Sequence, residues 1–161
     1  MRNKVLFCLL FIFTVTTDQA SKLAVDSFFH IHDSRNIIGN FLRLTYIKNP
    51  GAAFGINFGN PKVMLAVTIL VTVMLLYMFL SGKLNPGTMI GRASMVMILG
   101  GAVGNLIDRI RMGEVIDFID MGFGRYRWPV YNLADVYVTV GVIILMITLV
   151  FFSESSNEVD N

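Results

Sequence analysis

Four long stretches of the chain carry no charged residue, and polar residues gather between them. They cover residues 5–17, 63–82, 93–107 and 136–153. A helix needs about 20 residues to cross a membrane. The second and fourth stretches are long enough by themselves, and the first and third are long enough if a few polar residues at one end are included. None of them alternates like a barrel strand. We therefore predict four transmembrane helices, at about residues 4–24, 62–82, 88–109 and 133–153.

The polar connections predict a small β element on one side of the membrane. Residues 26–61 and 110–132 fall on the same side of a four-helix protein. Residues 41–47 alternate in the manner of a strand, and the segment from Val115 has a similar composition before an expected turn at residues 122–124. We predict an all-α membrane protein with a small sheet at the membrane surface.

The rest of the chain fits a single integral membrane domain over residues 1–161. Residues 81–92 are expected to form a plain turn on the side opposite the sheet. The acidic segment 154–161 is expected to be a flexible tail, because it has almost no apolar residue to bury.

The first apolar segment has an alternative interpretation as a cleavable signal peptide. Arg2 and Lys4 followed by an apolar stretch fit that pattern. Cleavage after Ala20, however, would place Asp18 three residues before the cut, where a small residue is required. Cys8 lies too near the start to be a lipid-attachment cysteine. We expect the segment to be retained as a helix.

Composition supports the membrane assignment and excludes several functions. Of the 161 residues, 55% are hydrophobic and only 15% charged, against about 25% charged in typical soluble domains. The basic residues are scattered, so no nucleic-acid partner is expected. A single cysteine excludes a disulfide framework. His30 and His32 stand in a polar loop without metal-ligand spacing, so no metal or other cofactor is expected.

Polar side chains cluster at the helix ends that face the predicted sheet. Asp18 and Lys22 are spaced i, i+4 and share a helix face, as do Asn105 and Arg109. A third pair of polar residues opens the fourth helix, at Asn132 and Asp135. Gly100 and Gly104 form a small-xxx-small pair that allows another helix to approach closely.

Two carboxylates, Asp117 and Asp135, are the candidate catalytic groups. Two carboxyl groups held close together share a proton, so one can act as a base on water while the other donates to a carbonyl oxygen. The simpler interpretation makes them interfacial acids paired with Arg109, Arg111 or Arg125. The convergence of so many polar groups favours the catalytic interpretation.

Five motifs together resemble the lipoprotein signal peptidase (signal peptidase II) family of bacteria. They occur in the family's order and spacing and extend over nearly the whole chain. The motifs are Asp-Gln-Ala-Ser-Lys at 18–22, Asn-Pro-Gly-Ala-Ala-Phe-Gly at 49–55, the block at 100–109, Val-Ile-Asp-Phe at 115–118 and Asn-Leu-Ala-Asp at 132–135. One departure from the family pattern is Tyr131, where phenylalanine is common.

The resemblance implies an aspartic endopeptidase that cuts lipid-modified prolipoproteins immediately before the diacylglyceryl cysteine, with membrane lipid around it. By that match Asp117 and Asp135 are the catalytic dyad. The residues that would line or support the site are Asp18, Lys22, Asn49, Gly51, Asn105, Arg109 and Asn132. The resemblance also implies a monomer, inhibition by cyclic peptides of the globomycin type, and hence an antibiotic target.

The resemblance further implies a multi-pass protein of the bacterial inner membrane, with both termini in the cytoplasm and the site at the outer leaflet. Charge counting opposes this orientation. It would leave four of the 13 basic residues inside and the other nine outside, against the positive-inside rule.

Three further hypotheses concern the site itself. Asp135 lies in the first turn of a helix, where the dipole favours negative charge, so we expect Asp117 to be the usual proton carrier. Residues 49–58 are rich in glycine and aromatic residues and are expected to form a mobile clamp over the substrate. Arg109 is expected either to hold lipid or peptide carbonyls or to pair with Asp108 or Asp18.

Two rival functions remain open at this point. A small transporter would place charged residues near the middle of the bilayer, whereas here they gather at one end. A non-catalytic membrane scaffold would tolerate loss of both Asp117 and Asp135.

Overall fold

The computed structural model describes residues 2–53, 56–57, 60–82 and 86–152, and within them it confirms four membrane-length helices and a small antiparallel sheet. The helices are α1 (Arg2–Phe28), α2 (Pro61–Ser81), α3 (Met89–Met112) and α4 (Leu133–Phe152). The strands are β1 (Ser34–Ile38), β2 (Leu42–Asn49), β3 (Ala52–Ala53), β4 (Ile56–Asn57), β5 (Val115–Phe123) and β6 (Tyr126–Arg127). The tail at 154–161 lies outside the described residues.

Local signals set several helix ends. Asn60 and Thr88 cap the first turns of α2 and α3, where their side-chain oxygens accept backbone N–H groups. Helix α3 ends at Met112 and is capped by Gly113, which adopts the left-handed conformation with φ 78°. It therefore extends three residues beyond the end expected from the uncharged run, and α1 extends four residues further than expected, to Phe28.

Helix α3 is the centre of the bundle and packs against α1, α2 and α4. The other helices expose large apolar side chains such as Leu70 and Phe151, about 70% exposed. A soluble monomer rarely leaves so wide an apolar surface exposed, so this surface is the one that contacts lipid.

The small-xxx-small pair brings α1 against α3, as its spacing predicts. A Cβ added at Gly100 would collide with the Thr14 side chain, and one at Gly104 would collide with the Asp18 carboxylate. The absence of side chains at these two positions therefore lets the polar residues of α1 reach those of α3.

The main sheet has the strand order β1-β2-β5-β6, and β3 pairs with β4 in a separate hairpin. Its central pair, β2 and β5, is antiparallel, with Asn49 opposite Val115. Beneath it lies a small core of Val25, Tyr46, Ile116 and Phe118. Because β2 and β5 are antiparallel, the end of β2 lies beside the start of β5. Both lie next to the helix ends that carry the polar residues.

The expected turn at residues 122–124 is displaced along the chain. Gly122 and Phe123 still belong to β5, and the turn lies at Gly124 and Arg125. Only Gly124, with φ 59°, needs the left-handed conformation. Gly122 is required for another reason, since a Cβ there would collide with the backbone of β6.

Candidate active site

The two candidate carboxylates are delivered by different elements to the same place. Asp117 is the third residue of β5, and its side chain is buried. Asp135 is the third residue of α4. Both line a cavity of about 920 Å³ at the end of the helical bundle that carries the sheet.

Asn132 connects these two carboxylates through hydrogen bonds. Its side-chain nitrogen donates to Oδ1 of Asp117 at 2.6 Å, and its backbone N–H donates to Oδ2 of Asp135 at 3.2 Å. Its side-chain oxygen accepts the backbone N–H of Asp135 at 3.1 Å. The reciprocal bonds between Asn132 and Asp135 have the pattern of a capping box, so the signal that begins α4 also orients the carboxylate of Asp135.

Two more asparagines complete the frame around the carboxylates. Asn49 donates to Oδ2 of Asp117 at 2.9 Å, and Asn105 donates to Oδ1 of Asp135 at 2.9 Å. All four carboxylate oxygens therefore accept an N–H group, which fixes the orientation of both carboxyl planes. Neither aspartate forms an ion pair within the part of the chain that the structure describes, so the arginine-paired interpretation is not supported there.

Gly51 helps to orient Asn49. Its backbone N–H donates to the side-chain oxygen of Asn49 at 2.9 Å, which turns the amide nitrogen of Asn49 toward Asp117. Gly51 adopts φ 119°, and a Cβ there would collide with Met64. Only glycine fits both conditions. The expected clamp at residues 49–58 falls partly outside the described residues.

A buried ionic cluster formed by residues of α1 and α3 contacts one of these asparagines, Asn105. Lys22 Nζ lies 2.9 Å from a carboxylate oxygen of Asp18 and 2.9 Å from one of Asp108. It also donates to the side-chain oxygen of Asn105 at 2.9 Å. An ammonium has three donors, and these three acceptors account for all of them. Gln19 adds a bond to Asp108 at 3.0 Å.

The cluster corrects one expectation about Arg109. Asp18 and Asp108, proposed above as possible partners of Arg109, both pair with Lys22 instead. The guanidinium of Arg109 lines the cavity, and its buried Nε has no hydrogen-bond partner among the described residues. The other expectation, an interaction of Arg109 with a carbonyl of a bound substrate, stays a prediction.

Burial makes Asp117 a weaker acid than an ordinary aspartate. Desolvation raises the pKa of Asp117 to about 7, with a further rise from the charge of Asp135 and partial opposition from its hydrogen bonds to Asn49 and Asn132. A carboxyl group with this pKa holds a proton over much of the physiological range.

The structure brings together every predicted site residue, namely Asp18, Lys22, Asn49, Gly51, Asn105, Arg109, Asp117, Asn132 and Asp135. The sequence analysis missed the contributions of Asp108 and Gln19. Asp108 follows Asn105 by three residues, so helical spacing was the signal that pointed to it. Gln19 lies inside the Asp18 motif, and the motif was its signal. His30 and His32 are exposed, and the described residues contain no group that could hold a metal ion.

The cavity has a mostly apolar wall that joins the polar frame to the membrane-facing helices. Met64 of α2 and Val136 and Val140 of α4 lie on one side, and the sheet supplies Met121 and Phe123. Such a shape suits a ligand that has a polar reacting group and a large apolar part.

Comparisons with known proteins agree with this geometry. The family model described as Signal peptidase (SPase) II matches residues 10–151. The lipoprotein signal peptidase of Moorella thermoacetica is 43% identical over 139 residues, covering 86% of this chain and 89% of that protein. The lipoprotein signal peptidase of Staphylococcus aureus is 36% identical over 152 residues, covering 94% and 91%.

A solved structure shows the same fold. It is a bacterial membrane enzyme determined by the in meso method at 2.3 Å resolution, and it is 33% identical to this chain. The two superpose with a TM-score of 0.79, covering 96% of this chain and 92% of the other. The chain therefore belongs to the signal peptidase II family, whose aspartic peptidases remove the signal peptides of prolipoproteins at membranes.

Proposed function

We propose that Asp117 and Asp135 are the catalytic dyad, and that the enzyme cuts immediately before a cysteine that carries diacylglycerol. One observation supports this above all others. A single buried residue, Asn132, bonds to both carboxyl groups, to Asp117 through its side-chain nitrogen and to Asp135 through its backbone N–H, and both carboxyl groups line a cavity with a mostly apolar wall.

The chemistry needs no group beyond these side chains and water. Ionised Asp135 takes a proton from a water molecule as the water oxygen attacks the scissile carbonyl carbon, and Asp117 gives its proton to the carbonyl oxygen. The tetrahedral intermediate then collapses: the C–N bond breaks, and the proton held by Asp135 passes to the departing amine. Asp117 recovers its proton from the hydroxyl group, which restores the starting state.

Two features support this division of roles. Asp135 lies at the N-terminus of α4, where the helix dipole favours the ionised form. Asp117 lies on a strand without that field, and burial raises its pKa to about 7. The proton belongs to the pair, so the roles describe the predominant state of the resting dyad.

This division predicts how activity depends on pH. Because the pKa of Asp117 is raised to about 7, its proton is present below that pH and is lost as the pH rises through it. We therefore expect kcat/KM, which reports the pKa values of the free enzyme, to fall as the pH rises through about 7. Infrared difference spectra should show a protonated carboxyl band near neutral pH that is absent in Asp117→Asn. A band that persists in that variant and vanishes in Asp135→Asn would reverse the assignment.

The lining of the cavity supports the proposal that the substrate is lipid-modified. Its apolar wall spans α2 and α4, so an acylated cysteine and an apolar signal peptide can enter sideways from the bilayer. The guanidinium of Arg109, with its unpartnered Nε, is placed to hold a lipid or peptide carbonyl. Cyclic peptides of the globomycin type are proposed to occupy the same cavity, and the enzyme is proposed to act as a monomer.

The proposed orientation places the site at the outer leaflet of the bacterial inner membrane and both termini in the cytoplasm. An even number of spans puts the start of α1 and the end of α4 on the same side. The end of α2 and the start of α3 lie on that side too, while the sheet and the dyad lie on the other. The excess of basic residues outside then includes Lys22 and Arg109, which belong to the site.

The decisive experiment compares two substrates that differ only in the lipid. Purified enzyme is incubated with a prolipoprotein whose cysteine carries diacylglycerol and, separately, with the same prolipoprotein without the diacylglycerol. The masses of the products are measured by mass spectrometry. We expect cleavage before the cysteine in the lipidated substrate only. Equal cleavage of both would contradict the lipid requirement, and no cleavage of either would favour the transporter or scaffold interpretation.

A further inference from the structure

We infer that Lys22 is a positioning residue that holds both catalytic aspartates in place through three separate hydrogen-bonded arms. The inference rests on the proposed function, since it assigns a role relative to that dyad. Lys22 is 1% exposed and does not line the cavity, so it reaches the reaction only through other groups.

The first arm runs to the carboxylate of Asp135 through Asn105. The side-chain oxygen of Asn105 accepts from Lys22 Nζ at 2.9 Å and from the side chain of Asn132 at 3.2 Å, while its nitrogen donates to Asp135. Rotating this amide by 180° would place its NH₂ group against two donors and its oxygen against a carboxylate. The charge of Lys22 therefore fixes which end of Asn105 faces Asp135.

The other two arms hold the backbone next to each aspartate. Asp18, paired with Lys22, accepts the backbone N–H of Ala134 at 2.9 Å, immediately before Asp135. Asp108, also paired with Lys22, accepts the backbone N–H of Ile116 at 3.3 Å, immediately before Asp117 in the chain.

A single ammonium is thus connected to the strand that carries one aspartate and to the helix that carries the other. Both linking carboxylates are buried, at 0% and 1% exposure for Asp18 and Asp108, so bulk water does not solvate them. Loss of the ammonium would release Asn105 and leave both carboxylates without their cation. The expected result is a dyad with altered geometry in a cavity whose wall is unchanged.

The test uses Lys22→Met, Asn105→Ala and their double variant in a cleavage assay with lipidated prolipoprotein. Each single variant should lower kcat by about 10-fold or more, the rate equivalent of one hydrogen bond to a charged group. KM should stay within about twofold, because neither residue contacts the cavity. The double variant should be slower than either single variant but less impaired than the product of the two effects, since only part of the effect of Lys22 passes through Asn105.

A companion variant separates positioning from the cost of a buried unpaired charge. In Asp18→Asn/Lys22→Met the cation and one of its carboxylates are neutralised together, which favours folding. We expect kcat to stay low in this variant at normal levels of folded protein. Recovery of kcat to the wild-type value, or effects of Lys22→Met and Asn105→Ala that multiply fully, would overturn the inference.

The outcome is distinguishable from failure of the proposed function. If Asp117→Asn and Asp135→Asn both retain cleavage, the dyad itself is wrong. If those variants are inactive while the Lys22 variants keep the wild-type kcat, the dyad stands and the positioning role alone is wrong.

Discussion

Replacing either Asp117 or Asp135 by asparagine is expected to lower the rate of prolipoprotein cleavage by about 10³-fold or more. Asparagine keeps the size of the side chain but can neither take a proton from water nor return one to the carbonyl oxygen. Each carboxylate accepts hydrogen bonds from two N–H groups. In the asparagine variant one of these N–H groups faces the new NH₂ group and loses its acceptor. The measurement is product formation from lipidated prolipoprotein by purified enzyme, normalised to folded protein.

Asp120→Asn is the matched control for the change at Asp117. Asp120 lies on the same strand and is also buried, but it bonds to Thr45 and Arg127 rather than to either aspartate of the dyad or to the asparagines that hold them. We expect this variant to lose some stability and to keep its kcat. Retained cleavage in both Asp117→Asn and Asp135→Asn would remove the basis of the catalytic proposal.

Replacing Asn132 by serine or leucine is expected to separate its two functions, which are the hydrogen bond to Asp117 and the capping of α4. Serine can still accept the backbone N–H of Asp135 and cap α4, but it lacks the amide nitrogen that donates to Asp117. Leucine loses both functions. We expect both variants to lower kcat by about 10²-fold, comparable to the loss of a catalytic hydrogen-bond donor. Only leucine should also lower the stability by the cost of a lost cap, about 1–2 kcal/mol.

Thr88→Ala provides the control for the change at Asn132. Thr88 caps α3 at the opposite end of the bundle, where its side-chain oxygen accepts the N–H of Gly91 at 3.0 Å. This variant should lose a similar amount of stability while kcat stays at the wild-type value. The readouts are the thermal unfolding midpoint in detergent and the cleavage rate. A serine variant with normal kcat would show that the bond from Asn132 to Asp117 is dispensable.

The helices followed from the sequence because the membrane imposes a simple rule on it. A segment that crosses the bilayer must be long, apolar and helical, and uncharged runs satisfy that rule without reference to their neighbours. The helix ends were less well determined. Helix α3 extends to Met112 because Gly113 supplies the C-terminal cap, and the polar residues of its last turn lie beside the sheet rather than in lipid.

The site was only partly predictable for a related reason. Spacing along a helix showed that Asp18 and Lys22 share one face, and their ion pair confirms it. Spacing could not show which residue on another helix lies opposite. From the sequence, Asp108 could have paired with either Arg109 or Lys22. It pairs with Lys22 because α1 approaches α3 closely.

The sequence by itself determined that this chain spans a membrane four times and brings its carboxylates and amides to one end of the bundle. Only the tertiary structure decided which partners they take: Asn132 between the two aspartates, and Lys22 behind Asn105. The physical reason is the range of the interactions involved. Transfer of a segment into lipid depends on its own composition, whereas a hydrogen bond forms only when packing brings two distant segments within about 3 Å.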